Sequence, residues 1–473
     1  MRIINSSNKF ASCLGTLFLV TFLFSSIYPI SLNSYAVEIS KGGTAEEKNC
    51  INYDSLKKLI HIFCKSVHLG EVAKQISNES ILGSQGIAYN IDNKSRINIT
   101  NDELANTWIL NAGISIEKGA TLIIDSSDTF WLKISSTPTT QKKSLSLVTK
   151  EVQTNTSSSR EDVTKGEVNS FMGSKLLETK KTDKPIITVS KNNDDNPNGI
   201  HVHGSLIIDS VKITSWDPEV NDVIKFRLGK RQGEENTKSE YDTIEPRAFI
   251  RISRDATGTT NITNSEIAYL GYSCSKCSGI SYYGGIGSII KGNNIHHLLK
   301  GYYSNGMGNT TIENNEFHHN YLYGIDPHTG SHDMIIKNNT VYNNNMSGII
   351  CSKHCYNILI EGNKVYENKH GGINFSIDMQ NSTAKNNYVR GTDSCISSNR
   401  GSSHNLIFNN TLFNCKIAIE FSDTFANIIS NNNIFNSDTG IWLNNTNDKI
   451  YNNSITDTRE NLIVGNQTMK NPN

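Results

Sequence analysis

The sequence predicts an all-β fold, a right-handed parallel β-helix built as a solenoid of 22–24-residue coils, with a short N-terminal helical cap. Three observations predict it. The first is an internal repeat, Ile-x-x-Asn-x-apolar. It runs from Ile290…Asn293-Asn-Ile295 and Ile312…Asn315-Glu-Phe317 through Ile336…Asn339-Thr-Val341, Ile360…Asn363-Lys-Val365 and Ala384…Asn387-Tyr-Val389. It continues with Ile407…Asn410-Thr-Leu412 and Ile429…Asn432-Asn-Ile434 to Ile450…Asn453-Ser-Ile455. The second is a Gly-apolar marker in step with it, at Gly279-Ile280, Gly301-Tyr302, Gly324-Ile325, Gly348-Ile349, Gly372-Ile373 and Gly440-Ile441. The third is Asn itself, with 60 in the chain and 32 of them between 301 and 455. At that density a helix is excluded, because the Asn side chain competes with the helical backbone and favours turns. A unit of this length is too short for a β-α-β crossover, which needs ~30 residues. A single unit cannot bury its apolar face, but stacked units can. Strands stacked ~4.8 Å apart place recurrent Asn side chains where their amides bond along the stack. The leucine pattern of a leucine-rich repeat is absent, and a β-propeller needs units of ~40 residues.

In chain order, residues 1–36 read as a secretory signal. Arg2 and Lys9 precede an apolar run from Cys13 to Ile30, and Ser34-Tyr35-Ala36 is a small-x-small cleavage site. The alternative is an uncleaved anchor, since the run reaches the ~18 residues of a spanning helix. Either way the body is expected outside the cytoplasm, secreted, periplasmic or on the cell surface, with no stable membrane span after cleavage. Residues 37–110 form an N-terminal segment whose amphipathic stretch around Leu56 to Val72 predicts a helical cap. Residues 111–455 carry the coils, beginning at Ile114…Leu122 and His203…Val211. Insertions are expected at 136–183, rich in Ser, Thr and Lys, and at 216–246, highly charged. Residues 456–473 show no clear coil.

Lys plus Arg and Asp plus Glu are both 45, so the formal charge is zero. That argues against a nucleic-acid partner, which selects a basic excess, and none is expected. Nine Cys less Cys13 leaves eight in an oxidising location, which predicts disulfides, with Cys50 and Cys64 placed to staple the cap. Cys274-x-x-Cys277 and Cys351…Cys355 allow a zinc site as the alternative.

The chemistry is sought on one face of the solenoid, where repeat proteins usually bind. Two residues after each marker Gly come Ser281, Tyr303, Asp326, Ile350 and Asn374. Four after come Tyr283, Asn305, His328, Ser352 and Ser376. Because the residue after Gly points inward, alternation sends both columns outward. The strip is polar and aromatic, suited to a carbohydrate chain. Eight of the 13 His fall between 296 and 370. His318 and His319 are expected to form a surface ladder with His296 and His297.

The segment Tyr323-Gly324-Ile325-Asp326-Pro327-His328 closely resembles the active-site motif of alginate (mannuronan) C5-epimerases, and the resemblance covers about 265–380. Tyr269-Leu-Gly-Tyr272, Ser275-Lys and Gly279-Ile-Ser precede it as in the periplasmic enzymes. Ser331-His, Asn339-Thr-Val-Tyr342 and Ser347-Gly-Ile-Ile follow it. Thr329 stands where the family carries an acidic residue, Ser352 where secreted members carry Asp, and Lys353 where the periplasmic type carries Arg. The resemblance implies C5-epimerisation of uronic acid residues, mannuronate to guluronate, in an anionic polysaccharide. Such a reaction needs a cation to neutralise the C6 carboxylate, a base for the C5 proton and an acid on the opposite face. His328 has the intrinsic pKa of a base near neutrality. Asp326 is placed to orient it, and Tyr323 to serve on the other face. Lys353 is the expected carboxylate neutraliser, ahead of Lys300 and Arg400, and His319 and His354 are alternative bases. Tyr303, Asn305, Ser352 and Asn374 complete the expected substrate-binding strip. No cofactor is expected. Ca²⁺ has no dedicated repeat, no metal ligands are assigned, and a monomer is expected. A polysaccharide lyase on the same scaffold and a non-catalytic carbohydrate-binding surface β-helix are the alternatives.

Overall fold

The computed structural model describes residues 50–85, 106–136, 199–225, 246–274 and 276–465, with the backbone alone of Ile87–Tyr89 and Arg96–Asn98. The segment 1–36 expected to be a signal, and most of the two expected insertions, lie outside the described residues.

Each full coil contains three short strands. One coil comprises Lys300–Asn305, Thr310–Glu313 and Glu316–His318. The next comprises Ile325–His328, His332–Lys337 and Thr340–Tyr342. Each strand pairs in parallel with its counterpart one coil on, as Tyr302↔Ile325, Ile312↔Ile336 and Phe317↔Val341 show. Three parallel faces result, here called the first, second and third in chain order. The inward residues form continuous buried columns. On the first face the column is Ile280, Tyr302, Ile325, Ile349, Ile373, Ile396 and Ile419, each 0% exposed. Each such side chain contributes about 1.5–3 kcal/mol by leaving water. The Gly of the marker is required by close packing. A Cβ on Gly324 would meet Val341 Cγ1 at 2.5 Å.

The Asn repeat forms the predicted ladder. Asn293 Nδ2 donates to Asn315 Oδ1 at 2.9 Å, and the same bond recurs from Asn315 to Asn339 and so on to Asn453. Each rung is fully satisfied. The Asn363 amide donates to Asn387 Oδ1 (3.0 Å) and to the Ile336 carbonyl (2.9 Å), and Asn363 Oδ1 accepts from the Asn339 amide nitrogen and side chain. The residue before each rung is left-handed (Asn314, Asn338 and Gly362, φ 56°, 54° and 66°), a conformation that favours Asn and Gly. Hence the Asn-Asn and Gly-Asn doublets. A second ladder, Asn320–Asn344–Asn368, binds the corner after the third face. Replacing Asn363 by Ala strands two buried donors on Asn339. The expected cost is about 2–3 kcal/mol, read as a lower calorimetric unfolding midpoint.

The N-terminal region differs from expectation in its helix. Ile51–Asp54 and Leu59–Ile62 form an antiparallel hairpin, and Leu59–Ile62 pairs in parallel with Gly113–Ile116, opening the stack. The helix is Leu69–Ile76, and Leu56, assigned to a helix from sequence, is 96% exposed on the hairpin turn. Ile60 and Ile62 are buried while Phe63 is exposed, so the apolar period there suits a strand. The Glu71 carboxylate accepts from the His68 amide at the helix start, and Leu69 and Val72 pack on the stack. The helix thus covers part of the solenoid's first end. At the other end Glu460–Val464 pairs with Thr439–Leu443, adding a strand where no coil was expected.

The excursions leave at one kind of corner. Trp131–Ser135 and Lys212–Asp217 are third-face strands, and Gly199–Val202 and Phe249–Ile252 are the first-face strands that follow them. Trp216 and Asp217, placed in the second insertion from sequence, therefore belong to the solenoid. Asp222-Val223 folds back on them in antiparallel pairing.

Cys50–Cys64 is a disulfide, as the cap reading predicted. The zinc alternative is overturned. Cys274 and Cys277 are joined to each other, and Cys395 to Cys415. Cys351 and Cys355 are free thiols inside the core, where burial pushes both up, Cys355 to about 12, so neither offers a thiolate. Replacing Cys50 and Cys64 together by Ser is expected to destabilise the cap by about 3 kcal/mol, the entropy of a loop this short. Hydrogen exchange should quicken at 51–62 and stay unchanged in the central coils, because coils support only their neighbours.

Candidate active site

The first-face strands set the site in register. Ser281, Tyr303 and Asp326 form one outward column, followed by Ile350 and Asn374. Asn305, His328, Ser352 and Ser376 form the other. A third column, just before the marker Gly, stacks Lys300 over Tyr323, because the Gly301 amide donates to the Tyr323 carbonyl.

The strip is a floor with a covered centre. Asp326 is fully buried although it points away from the core. The Lys300 ammonium covers it, donating to Oδ2 at 2.9 Å. The same ammonium lies 4.1 Å from the Tyr303 ring centre and 5.7 Å from that of Tyr323. Asp326 Oδ1 is buried without a hydrogen-bond partner among the described residues. Asn305 Nδ2 donates to the Tyr303 hydroxyl at 3.3 Å, and the Tyr303 ring is 5.7 Å from His328. His328 Nδ1 sits 2.5 Å from Thr329 Oγ1. Burial holds the half-buried His328 imidazole below its ordinary pKa. Asp326 pulls the other way, and Lys300 and Lys353 add to the depression. The ring is therefore neutral near pH 7, the form a base requires.

The structure orders the cations differently from the sequence. Lys300, ranked behind Lys353, is at the centre. Lys353 is exposed at the corner immediately after Ser352, one coil beyond Thr329, with φ 69°. Arg400 occupies the same corner two coils further on, roughly 10 Å away at ~4.8 Å per coil. Asn374 lies on the floor two coils from Asp326, and its Oδ1 is buried without a partner among the described residues. Tyr323 stands half-buried at the strand entrance. His354 Nδ1 lies in hydrogen-bond contact with Asp378 Oδ2 at 2.8 Å. His319 is placed in a different group. It is left-handed at the corner after Glu316–His318 and stacks on His297 at 5.3 Å. Lys300 was legible by its offset, since it precedes its marker Gly as Tyr323 does.

The arrangement offers a buried cation–carboxylate pair, a neutral imidazole, two phenols and two exposed cations along one face. It can hold an acidic sugar and move a proton at it. Among the described residues no helix is long and apolar enough to cross a membrane.

A family model described as a right handed beta helix region matches residues 248–398, and one described as a periplasmic copper-binding protein (NosD) matches residues 350–471. No curated protein matches the sequence. Among solved structures, a single-substitution mutant of the periplasmic alginate epimerase AlgG aligns with TM-score 0.58 and 16% identity over 84% of this chain and 85% of that one. The unsubstituted AlgG aligns with TM-score 0.56 and 16% identity over 86% and 85%. The A-module of the Azotobacter vinelandii mannuronan C-5 epimerase AlgE4 aligns with TM-score 0.44 and 14% identity over 76% and 89%. The chain is a right-handed parallel β-helix. Its solenoid shares its fold with that of the periplasmic alginate epimerase AlgG.

Proposed function

We propose that this protein is a uronan C5-epimerase that acts on an acidic polysaccharide outside the cytoplasm. One observation carries the proposal. Lys300, Asp326, His328, Tyr303 and Tyr323 of the six-residue motif and its neighbouring coil converge on a single patch of the first face. The fold shared with AlgG supports it. Three disulfides fit an oxidising compartment.

The polymer lies over the first face, with a uronic residue above Asp326. Lys300, assisted from the corner by Lys353, neutralises the C6 carboxylate and stabilises the charge that builds on it. His328 accepts the C5 proton, so the C5–H electron pair moves into an enolate. Tyr323 donates its hydroxyl proton to C5 from the opposite face, which inverts the centre and leaves the chain length unchanged. Asp326 holds Lys300 in place. Asn305 orients Tyr303, and Asn374 and Arg400 contact neighbouring sugars along the floor.

Proton NMR of polymannuronate in D₂O with the protein tests this. Deuterium at C5 together with new guluronate signals is the expected result. Unsaturated chain ends absorbing in the ultraviolet would replace the epimerase with a lyase. Absence of exchange on several uronans, with the protein shown to be folded, would leave a binding β-helix.

A further inference from the structure

We infer that the histidine quartet His296, His297, His318 and His319 is a binding site for a divalent transition metal, with copper(II) the best match. The site is separate from the candidate active site and independent of the epimerase reading.

The quartet is two adjacent pairs, one per coil. His296 Nδ1 lies 2.7 Å from His297 Nδ1, and His318 Nδ1 lies 2.7 Å from His319 Nδ1. The pairs stack coil on coil, His296 on His318 at 4.8 Å and His297 on His319 at 5.3 Å. Two imidazole nitrogens in neighbouring positions of a square-planar or octahedral ion stand about 2.8 Å apart for bonds of ~2.0 Å, so each pair needs little movement to hold one. In the metal-free protein that spacing is an N–H···N hydrogen bond, and copper(II) is favoured because it binds a given nitrogen site most tightly of the divalent first-row ions. Imidazole is a ligand type that suits both.

The second observation is what holds the far side of each ring. His296 Nε2 is 3.3 Å from the Glu266 carboxylate, and His318 Nε2 is 2.9 Å from the Asn294 side-chain oxygen. Both partners only accept, so each Nε2 carries the proton and each Nδ1 presents a lone pair. Ligating histidines are oriented in this way, by a hydrogen-bond acceptor behind the ring. Glu266 is itself fixed by Lys212 at 3.0 Å, and the rings are clamped by Tyr269 against His297 (4.9 Å) and Tyr342 against His318 (5.0 Å). In the metal-free pair His297 Nδ1–H donates to His296. An entering ion takes both Nδ1 lone pairs once His297 carries its proton on Nε2 instead, with a small ring rotation and no net proton change. The same holds for His319 and His318. Two ions one coil apart would repel, so one ion per chain is expected. His319 is exposed, and a cavity of about 590 Å³ lined by Tyr269, His297, His319 and Tyr321 gives access. The NosD-matched stretch begins at residue 350, beyond all four histidines.

Equilibrium dialysis of the full chain against copper(II) sulfate, with electron paramagnetic resonance of the loaded protein, tests the site. The reference is the double variant His297→Asn/His319→Asn. Both positions are left-handed (φ 56° and 52°), a conformation that Asn adopts readily, so the variant keeps the corners while removing one ligand of each pair. The expected result is one copper(II) per wild-type chain with nitrogen hyperfine structure, lost in the double variant. Glu266→Gln is expected to weaken uptake about 10-fold. Equal uptake by wild type and double variant, or a wild-type spectrum without nitrogen coupling, overturns the assignment.

Discussion

Replacing His328 by Gln is expected to reduce C5 deuterium incorporation by about 10²–10⁴-fold, the usual contribution of a positioned base. The unfolding midpoint should stay close to that of wild type, because the ring is only half-buried and its recorded polar contact is with the neighbouring Thr329. The pH profile gives an independent check. Burial depresses the imidazole pKa, so the unprotonated base persists below pH 6.5. The acid limb of kcat/KM should therefore fall below 6.5, and a limb above it would contradict the environment described for His328. Retained exchange in the variant would move the base elsewhere.

Replacing Lys300 by Met is expected to destabilise the fold by about 3–5 kcal/mol. The change leaves a carboxylate that is 1% exposed without its partner. The double variant Lys300→Met/Asp326→Asn removes the orphaned charge and should recover most of the unfolding midpoint. It should not recover activity, because the cation proposed to face the substrate carboxylate is gone. Recovery of both would make the pair purely architectural.

The solenoid was legible because its constraints repeat. Each rung Asn must sit where Asn387 and Asn410 sit, each inward Ile must stack on the last, and a period of 22–24 exposes both. The paired columns on the first face followed from alternation alone. Three features were not legible for physical reasons. Leu56 to Val72 contains enough apolar residues to suit a helix, and only the antiparallel pairing of Ile51–Asp54 with Leu59–Ile62 decides the hairpin. Asp326 looked open because alternation fixes direction but not cover, and the cover comes from Lys300 in the preceding coil. The thiols of Cys351 and Cys355 looked like metal ligands by spacing, yet both point into the core.

The corner from the third face to the first has a consequence for how such a protein changes length over generations. A tandem duplication of 24 codons would append a coil and leave every ladder bond intact. A single inserted codon inside a strand would turn the following side chains to the opposite face and bury the polar column. The described chain breaks off after Ser136 and after Lys225, and each time the next strand is a first-face strand, so both expected insertions fall between a third-face and a first-face strand. New sequence therefore accumulates beside the entrance to the first-face strands.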